Sequence, residues 1–210
     1  MADDFFFTCS IRLIFCEIKA GVQRFKINSF FVCRSSFFVF NFAPIMQQTK
    51  DQIFERIESE LTSEGFNIIK SDFTRPWGGF FVIDETQADQ FIAHYFPTYK
   101  KESLMLGNKL SPKILVVAPA QRLSWQYHFR RAEIWRVVEG EVGVVMSDTD
   151  EEKTSDTYEP GDQIVLSKGQ RHRLVGLNDW GVIAEIWQHT DPENPSDEED
   201  IVRLQDDYGR

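Results

Sequence analysis

At 210 residues and 42% hydrophobic composition, the chain is long enough to bury a sizeable core as one domain with appendages. A formal net charge of -10 and a pI near 4.9 argue against nucleic acid or an anionic membrane surface as the main partner, because phosphate backbones demand concentrated Lys and Arg. The three cysteines (Cys9, Cys16, Cys33) are too few and too irregular for a disulfide framework, and no stretch reaches the roughly 18 uninterrupted apolar residues of a membrane helix, so a small-molecule ligand and a cytoplasmic setting are expected.

Residues 1–45 differ in kind from the rest. They hold eleven of the nineteen phenylalanines and all three cysteines. Five Lys and Arg against three Asp and Glu give them a charge of +2, leaving 18 against 30, or -12, beyond them. Their start is acidic at Asp3 and Asp4, and Arg12, Glu17 and Lys19 interrupt the apolar run, so it does not read as a signal peptide. We expect translated upstream sequence with Met46 as the native start; an organelle-targeting leader and a packing arm are the alternatives.

Residues 46–72 are expected to form a helix and a lead-in strand, and 73–210 the main domain. From Thr49 to Glu64, Ile53, Phe54, Ile57 and Leu61 fall on one helical face, Thr49 and Gln52 suit a capping box, and Gly65 is a fitting stop. A short strand is expected over Asn67–Lys70 and another over Phe80–Ile83. Thr86–Phe96 reads as a helix ended by Pro97, with His94 a surface or packed residue.

Beyond it the chain is strands and turns. Lys113–Ala118, Leu123–His128, Ala132–Val138, Val142–Ser147, Thr157–Tyr158, Gln163–Leu166, His172–Leu177 and Val182–Gln188 are short and rich in β-branched or aromatic residues. Turn chemistry such as Glu139-Gly140, Pro160-Gly161 and Lys168-Gly169 separates them. This spacing predicts a mainly β fold, an antiparallel sandwich or barrel with one or two peripheral helices at its N-terminal side. The acidic run Asp148–Lys153 reads as a solvated hairpin tip, and by charge alone His189–Arg210 reads as a solvated tail.

The chemistry concentrates in Arg122–Gly140 and Gly161–His172. Residues two apart in a strand share a face, so Gln126 and His128 project together. After a turn through Arg130 and Arg131, the next strand carries Glu133 beside them, and His172 arrives from a third. An amide oxygen, two imidazoles and a carboxylate suit a divalent ion such as zinc. An isolated strand His is more often packed than ligating, so spacing alone leaves both readings open.

Gln126-x-His128-x4-Glu133-x6-Gly140 resembles the first cupin motif with Gln in place of its first His. Gly161-x7-Gly169-x2-His172 resembles the second, with Ser167 where Pro is usual. Arg75-Pro-Trp-Gly78 and Asp200-Ile-Val-Arg203 through Asp207-Tyr-Gly-Arg210 are similar to the opening and closing motifs of the cupin domain of type II mannose-6-phosphate isomerases. Over about two thirds of the chain, this resemblance implies a double-stranded β-helix, one divalent metal, a sugar-phosphate substrate and a homodimer. The segment Thr86–Leu110 is longer than the family pattern, so a lid or altered sugar preference is expected there.

By alternation Arg122 and Ser124 share the face of Gln126 and His128. Lys113 falls where the resembled enzymes have a Lys, and Arg203 and Arg210 inherit from the closing motif a role as phosphate contacts. The resemblance thus implies a metal-dependent aldose–ketose isomerase of the mannose-6-phosphate type, whose base the sequence does not name. The alternatives are a cupin acting on a heptose or pentose phosphate, and a non-catalytic sugar-binding cupin.

Overall fold

The structure, a computed structural model, describes residues 47–209; the expectations for residues 1–45 and for Arg210 lie outside these. The elements in order are α1 (Lys50–Ser63), β1 (Ile68–Asp72), β2 (Gly78–Ile83), α2 (Ala88–Tyr95), α3 (Lys101–Leu104), β3 (Leu110–Val117), β4 (Trp125–His128), β5 (Arg131–Glu139), β6 (Val142–Ser147), β7 (Asp156–Tyr158), β8 (Gln163–Leu166), β9 (Arg171–Gly176), β10 (Gly181–His189) and β11 (Ile201–Gln205). Two antiparallel sheets result, ordered β1-β2-β3-β10-β5-β8 and β11-β4-β9-β6-β7. This is the mainly β, double-stranded β-helix architecture expected from the motifs. No helix among the described residues is long and apolar enough to cross a membrane.

Helix α1 forms where the pattern places it. The Thr49 hydroxyl accepts from the Gln52 backbone N–H while the Gln52 side chain accepts from the Thr49 N–H, which satisfies two donors that a helix start leaves unpaired. At the other end Gly65 adopts φ +84°. The Phe66 N–H then reaches Leu61 O and the Gly65 N–H reaches Thr62 O, the paired bonds of a Schellman stop. The buried face is Ile53, Phe54, Ile57 and Leu61.

That face lies in a cluster with Phe81, Ile83, Ile114, Val116, Val182, Ala184 and Ile186 of the six-stranded sheet, together with Phe91, Ile92 and Phe96 of the α2 region. The alternate residues of the same strands, Phe80, Leu115, Val117, Trp135, Val137 and Ile183, form a second cluster with Val142, Val144 and Leu174 of the five-stranded sheet. Period-two alternation thus divides each strand between helix-covered and inter-sheet sides.

Two expectations change, and for the tail the reading by charge alone gives way to the one that the closing motif implies. Thr86–Leu110 supplies α2 and α3 to the helix-covered side, so it is not a lid over the inter-sheet space. The acidic run Asp148–Lys153 is not simply solvated: the Asp150 carbonyl accepts from Trp125 Nε1 at 2.9 Å, and Asp150 and Glu152 pair with Arg171 and with the buried Arg173 at 2.6 and 2.7 Å. The tail returns to the sheet, with Ile201, Val202 and Arg203 of β11 opposite His128, Tyr127 and Gln126 of β4. Buried Asp200 anchors that return, its carboxylate accepting from the Phe129 and Arg130 backbone N–H groups and from the Ser196 hydroxyl.

Candidate metal centre and cavity

Strands β4, β5 and β9 bring His128, Glu133 and His172 together. Each is 2% exposed, and one ligand atom from each lies within 4.8 Å of the others. Gln126 stands directly opposite His172 in register, with its Oε1 accepting from the Ser124 hydroxyl at 2.6 Å. Of the four residues expected to converge, His128, Glu133 and His172 bring their ligand atoms together, and Gln126 lies beside them in register with His172.

The backbone sets the tautomers. His128 Nδ1 lies 3.2 Å from Asp200 O and His172 Nδ1 lies 3.0 Å from Gln170 O. A carbonyl only accepts, so each Nδ1 carries the proton and each Nε2 presents a lone pair. These lone pairs face the Glu133 carboxylate, His128 Nε2 at 3.2 Å from Oε1 and His172 Nε2 at 3.4 Å from Oε2. Burial pushes the His128 imidazole down to about 3 and also lowers that of His172, so both rings are neutral. Burial opposes ionisation of Glu133, but the Arg131 guanidinium 2.7 Å away outweighs it and holds the carboxyl below its usual range.

Two buried atoms of this cluster, Glu133 Oε2 and His172 Nε2, have no hydrogen-bond partner. Unpaired buried acceptors are costly, and an anionic oxygen beside an imidazole lone pair is a donor set that a divalent ion satisfies. The residues therefore fit the metal that the motifs imply.

Arg131 is the residue that sequence reasoning misplaced. It was expected in a turn but opens β5, 2% exposed, on the same face as Glu133. Its Nε donates to Glu133 Oε1 at 2.7 Å and its Nη2 to His128 Nε2 at 3.0 Å. Its guanidinium lies 3.5 Å from the centre of the Trp187 ring, which also has Lys113 Nζ at 3.3 Å.

A cavity of about 560 Å³, counting its open mouth, adjoins the cluster and is bordered by Gln126, Glu133 and Arg131 from the centre. Lys113 and Arg203, both expected at the ligand, line it as well, with Arg75 and Trp77 of the opening motif. Lys113 is buried and pairs with Glu198 at 2.8 Å; desolvation lowers its pKa against the pull of Glu185 and Glu198.

Arg122 departs from its expected place. It is 39% exposed at the side chain and makes a two-pronged bond with Asp207 at 2.6 and 3.0 Å, and it is not part of the cavity lining. Alternation fails for it because β4 begins only at Trp125, leaving Arg122 in the lead-in with a single bridge to Val175.

The cavity also contains Glu185 and Trp187, which sequence reasoning passed over. Glu185 is 4% exposed and its Oε1 accepts from Trp135 Nε1 at 2.9 Å. Burial and the Glu133 carboxylate push Glu185 up to about 8, against the opposing pull of Lys113 and Arg131. The legible signal was one acidic residue inside the apolar run Val182–Trp187.

Comparison with known proteins adds a family. The model described as Mannose-6-phosphate isomerase C-terminal matches residues 84–206, more than half of the chain. A search of curated protein sequences finds no match. Solved structures with a similar backbone include vicilin from Solanum lycopersicum, at 16% identity over 63% of this chain and 35% of that one, TM-score 0.44. Another is the DMSP lyase DddQ from Ruegeria pomeroyi DSS-3, at 16% identity over 45% of each chain, TM-score 0.36. A Cupin 2 conserved barrel domain protein from Salinispora arenicola CNS-205 aligns at 22% identity over 38% of this chain and 62% of that one, TM-score 0.33. The chain thus spans between 35% and 62% of the length of these structures.

Proposed function

The chain belongs to the mannose-6-phosphate isomerase C-terminal family, and from that premise we propose that it is a metal-dependent aldose–ketose isomerase acting on a sugar phosphate of the mannose-6-phosphate/fructose-6-phosphate type. The observation that carries this reading is the pair of unpartnered buried atoms, Glu133 Oε2 and His172 Nε2, in a cluster whose Glu133 borders a cavity also lined by Arg75, Lys113, Arg131 and Arg203. His128, Glu133 and His172, with Gln126, would hold one divalent ion, zinc being the metal best matched to such a set. When bound, the ion polarises the substrate oxygens and stabilises the negative charge that develops on them during enediol formation.

The remaining residues bind and orient. Lys113, Arg203, Arg75 and Arg131 border the cavity and provide the positive charge that a phosphate demands in an otherwise acidic protein. Trp77, Phe80 and Trp187 give apolar walls for the sugar carbons. Neutral His128 and His172 leave Glu133 as the anionic member of the donor set. The cysteine-free stretch from Met46 onward suits a reducing, cytoplasmic setting, and a homodimer is proposed by analogy of fold alone.

Interconversion of mannose 6-phosphate and fructose 6-phosphate, before and after chelation and re-addition of zinc, tests this proposal. Turnover lost on chelation and regained with the ion is expected; no interconversion of these or of pentose and heptose phosphates overturns it. One observation favours a second reading, sugar-phosphate binding without turnover: Arg131 already donates to both His128 and Glu133. Metal-independent binding of the same sugars with no turnover would select it.

A further inference from the structure

We propose that Glu185 is the group that moves the carbon-bound proton, taking it from one of two adjacent sugar carbons and returning it to the other. This role rests on the isomerase reading above.

The cavity offers three carboxylates. Glu133 is committed to Arg131 and the two imidazoles. Glu198 has a side chain 47% exposed and is paired with Lys113. Glu185 remains. It stands at the middle of β10, opposite Lys113 on one side and Trp135 on the other. Glu133 is opposite Trp187, so Glu185 and Glu133 are diagonal neighbours on one face, about 7–8 Å apart along the backbone. A sugar whose oxygens lie toward Glu133 therefore presents its adjacent carbons toward Glu185.

The carboxylate is also oriented. Trp135 Nε1 fixes Oε1, and among the described residues no other hydrogen bond engages the group, so it is held without being consumed. The groups facing it from the flanking strands are Lys113 on β3 and Glu133 and Arg131 on β5.

The chemistry balances without a further reactant. Glu185 removes the proton on C2 of the open-chain aldose phosphate, the C–H electron pair becomes the C1–C2 double bond, and the carbonyl π pair moves to O1, which takes a proton from water. Protonated Glu185 then delivers its proton to C1 as O2–H gives its own to the hydroxide so formed, regenerating water, and C2=O forms. C2 is oxidised and C1 reduced within one molecule.

The test uses the metal-loaded wild-type protein, E185Q and E185D, following turnover and deuterium uptake from D2O into mannose 6-phosphate and fructose 6-phosphate by NMR. E185Q is expected to lose at least about 100-fold in both, with metal content and fructose 6-phosphate affinity unchanged, and E185D to regain part of the rate. Exchange by E185Q at the wild-type rate overturns the role of Glu185 and leaves the isomerase reading standing. A wild-type protein that exchanges no proton on any aldose or ketose phosphate overturns both. If the Gln variant does not fold, E185D decides: a kcat within about threefold of wild type contradicts the role, and a loss beyond about tenfold at unchanged KM supports it.

Discussion

Along β10 the inward residues change character within three positions. Ile183 lies opposite Val137 and Leu115, whereas Glu185 lies opposite Trp135 and Lys113, and Trp187 opposite Glu133 and Ser111. The same strands and the same alternation thus give one end of the inter-sheet space an apolar filling and the other a set of buried ions. Area removed from water at the apolar end stabilises the fold by about 25 cal/mol per Å². At the polar end each ion costs desolvation energy that only close pairing offsets, as Arg131 does for Glu133 at 2.7 Å. The contrast separates holding the sheets together from the chemistry proposed for the polar end, since local rules of burial are broken where function resides.

The largest expected effects lie at the polar end. His128→Ala should lower metal affinity and turnover by more than about 100-fold, since even a supporting residue one layer out costs about 10–100-fold; metal content and steady-state rates check this. At the apolar end, Ile183→Ala should cost about 2–5 kcal/mol of stability while the folded protein keeps its metal stoichiometry, as denaturant unfolding alongside metal analysis would show. If His128→Ala destabilised the fold as much as Ile183→Ala, the two ends would not be distinct.

A pH test sharpens the same contrast. Buried His189 is pushed down to about 4 by burial and by Lys109, against the pull of Glu85, while the unfolded chain takes up its proton near about 6.5. Between those values the unfolded state binds more protons, so stability falls as the pH drops. His189→Gln should flatten that slope, removing about 1–3 kcal/mol of pH dependence between pH 6.5 and 4, read from urea midpoints. The smallest effect belongs to the distant helix: Thr49→Ala should cost about 1 kcal/mol by loss of the cap and leave turnover unchanged.

The strands were legible because burial imposes a period of two wherever a sheet has an inside. Val142–Ser147 and Gln163–Leu166 emerge with the boundaries read from sequence, and the α1 cap is formed by the two residues whose chemistry announces it. The candidate metal cluster was legible for the same reason, since alternation carries Gln126 and His128 to one face. What failed were positions at the ends of that rule. Arg131 was read as turn although β5 begins there, and Arg122 was read as inward although β4 begins three residues later. Charge alone hid the tail's return, because pairing of Arg203 with Gln126 depends on a long-range contact that local charge does not encode; the closing motif from Asp200 onward is what placed the segment in the domain. Glu185 was hidden differently: its neighbours in sequence are apolar, and its role depends on what β3 and β5 place beside it.

The central claim is that the polar end of the inter-sheet space holds a divalent ion. Anomalous scattering from crystals of the zinc-loaded protein tests it most directly. We predict one ion bonded to His128, Glu133 and His172, with Zn–N distances of about 2.0–2.1 Å. No ion at those residues, with the Arg131 guanidinium still bonded to His128 Nε2, would contradict it.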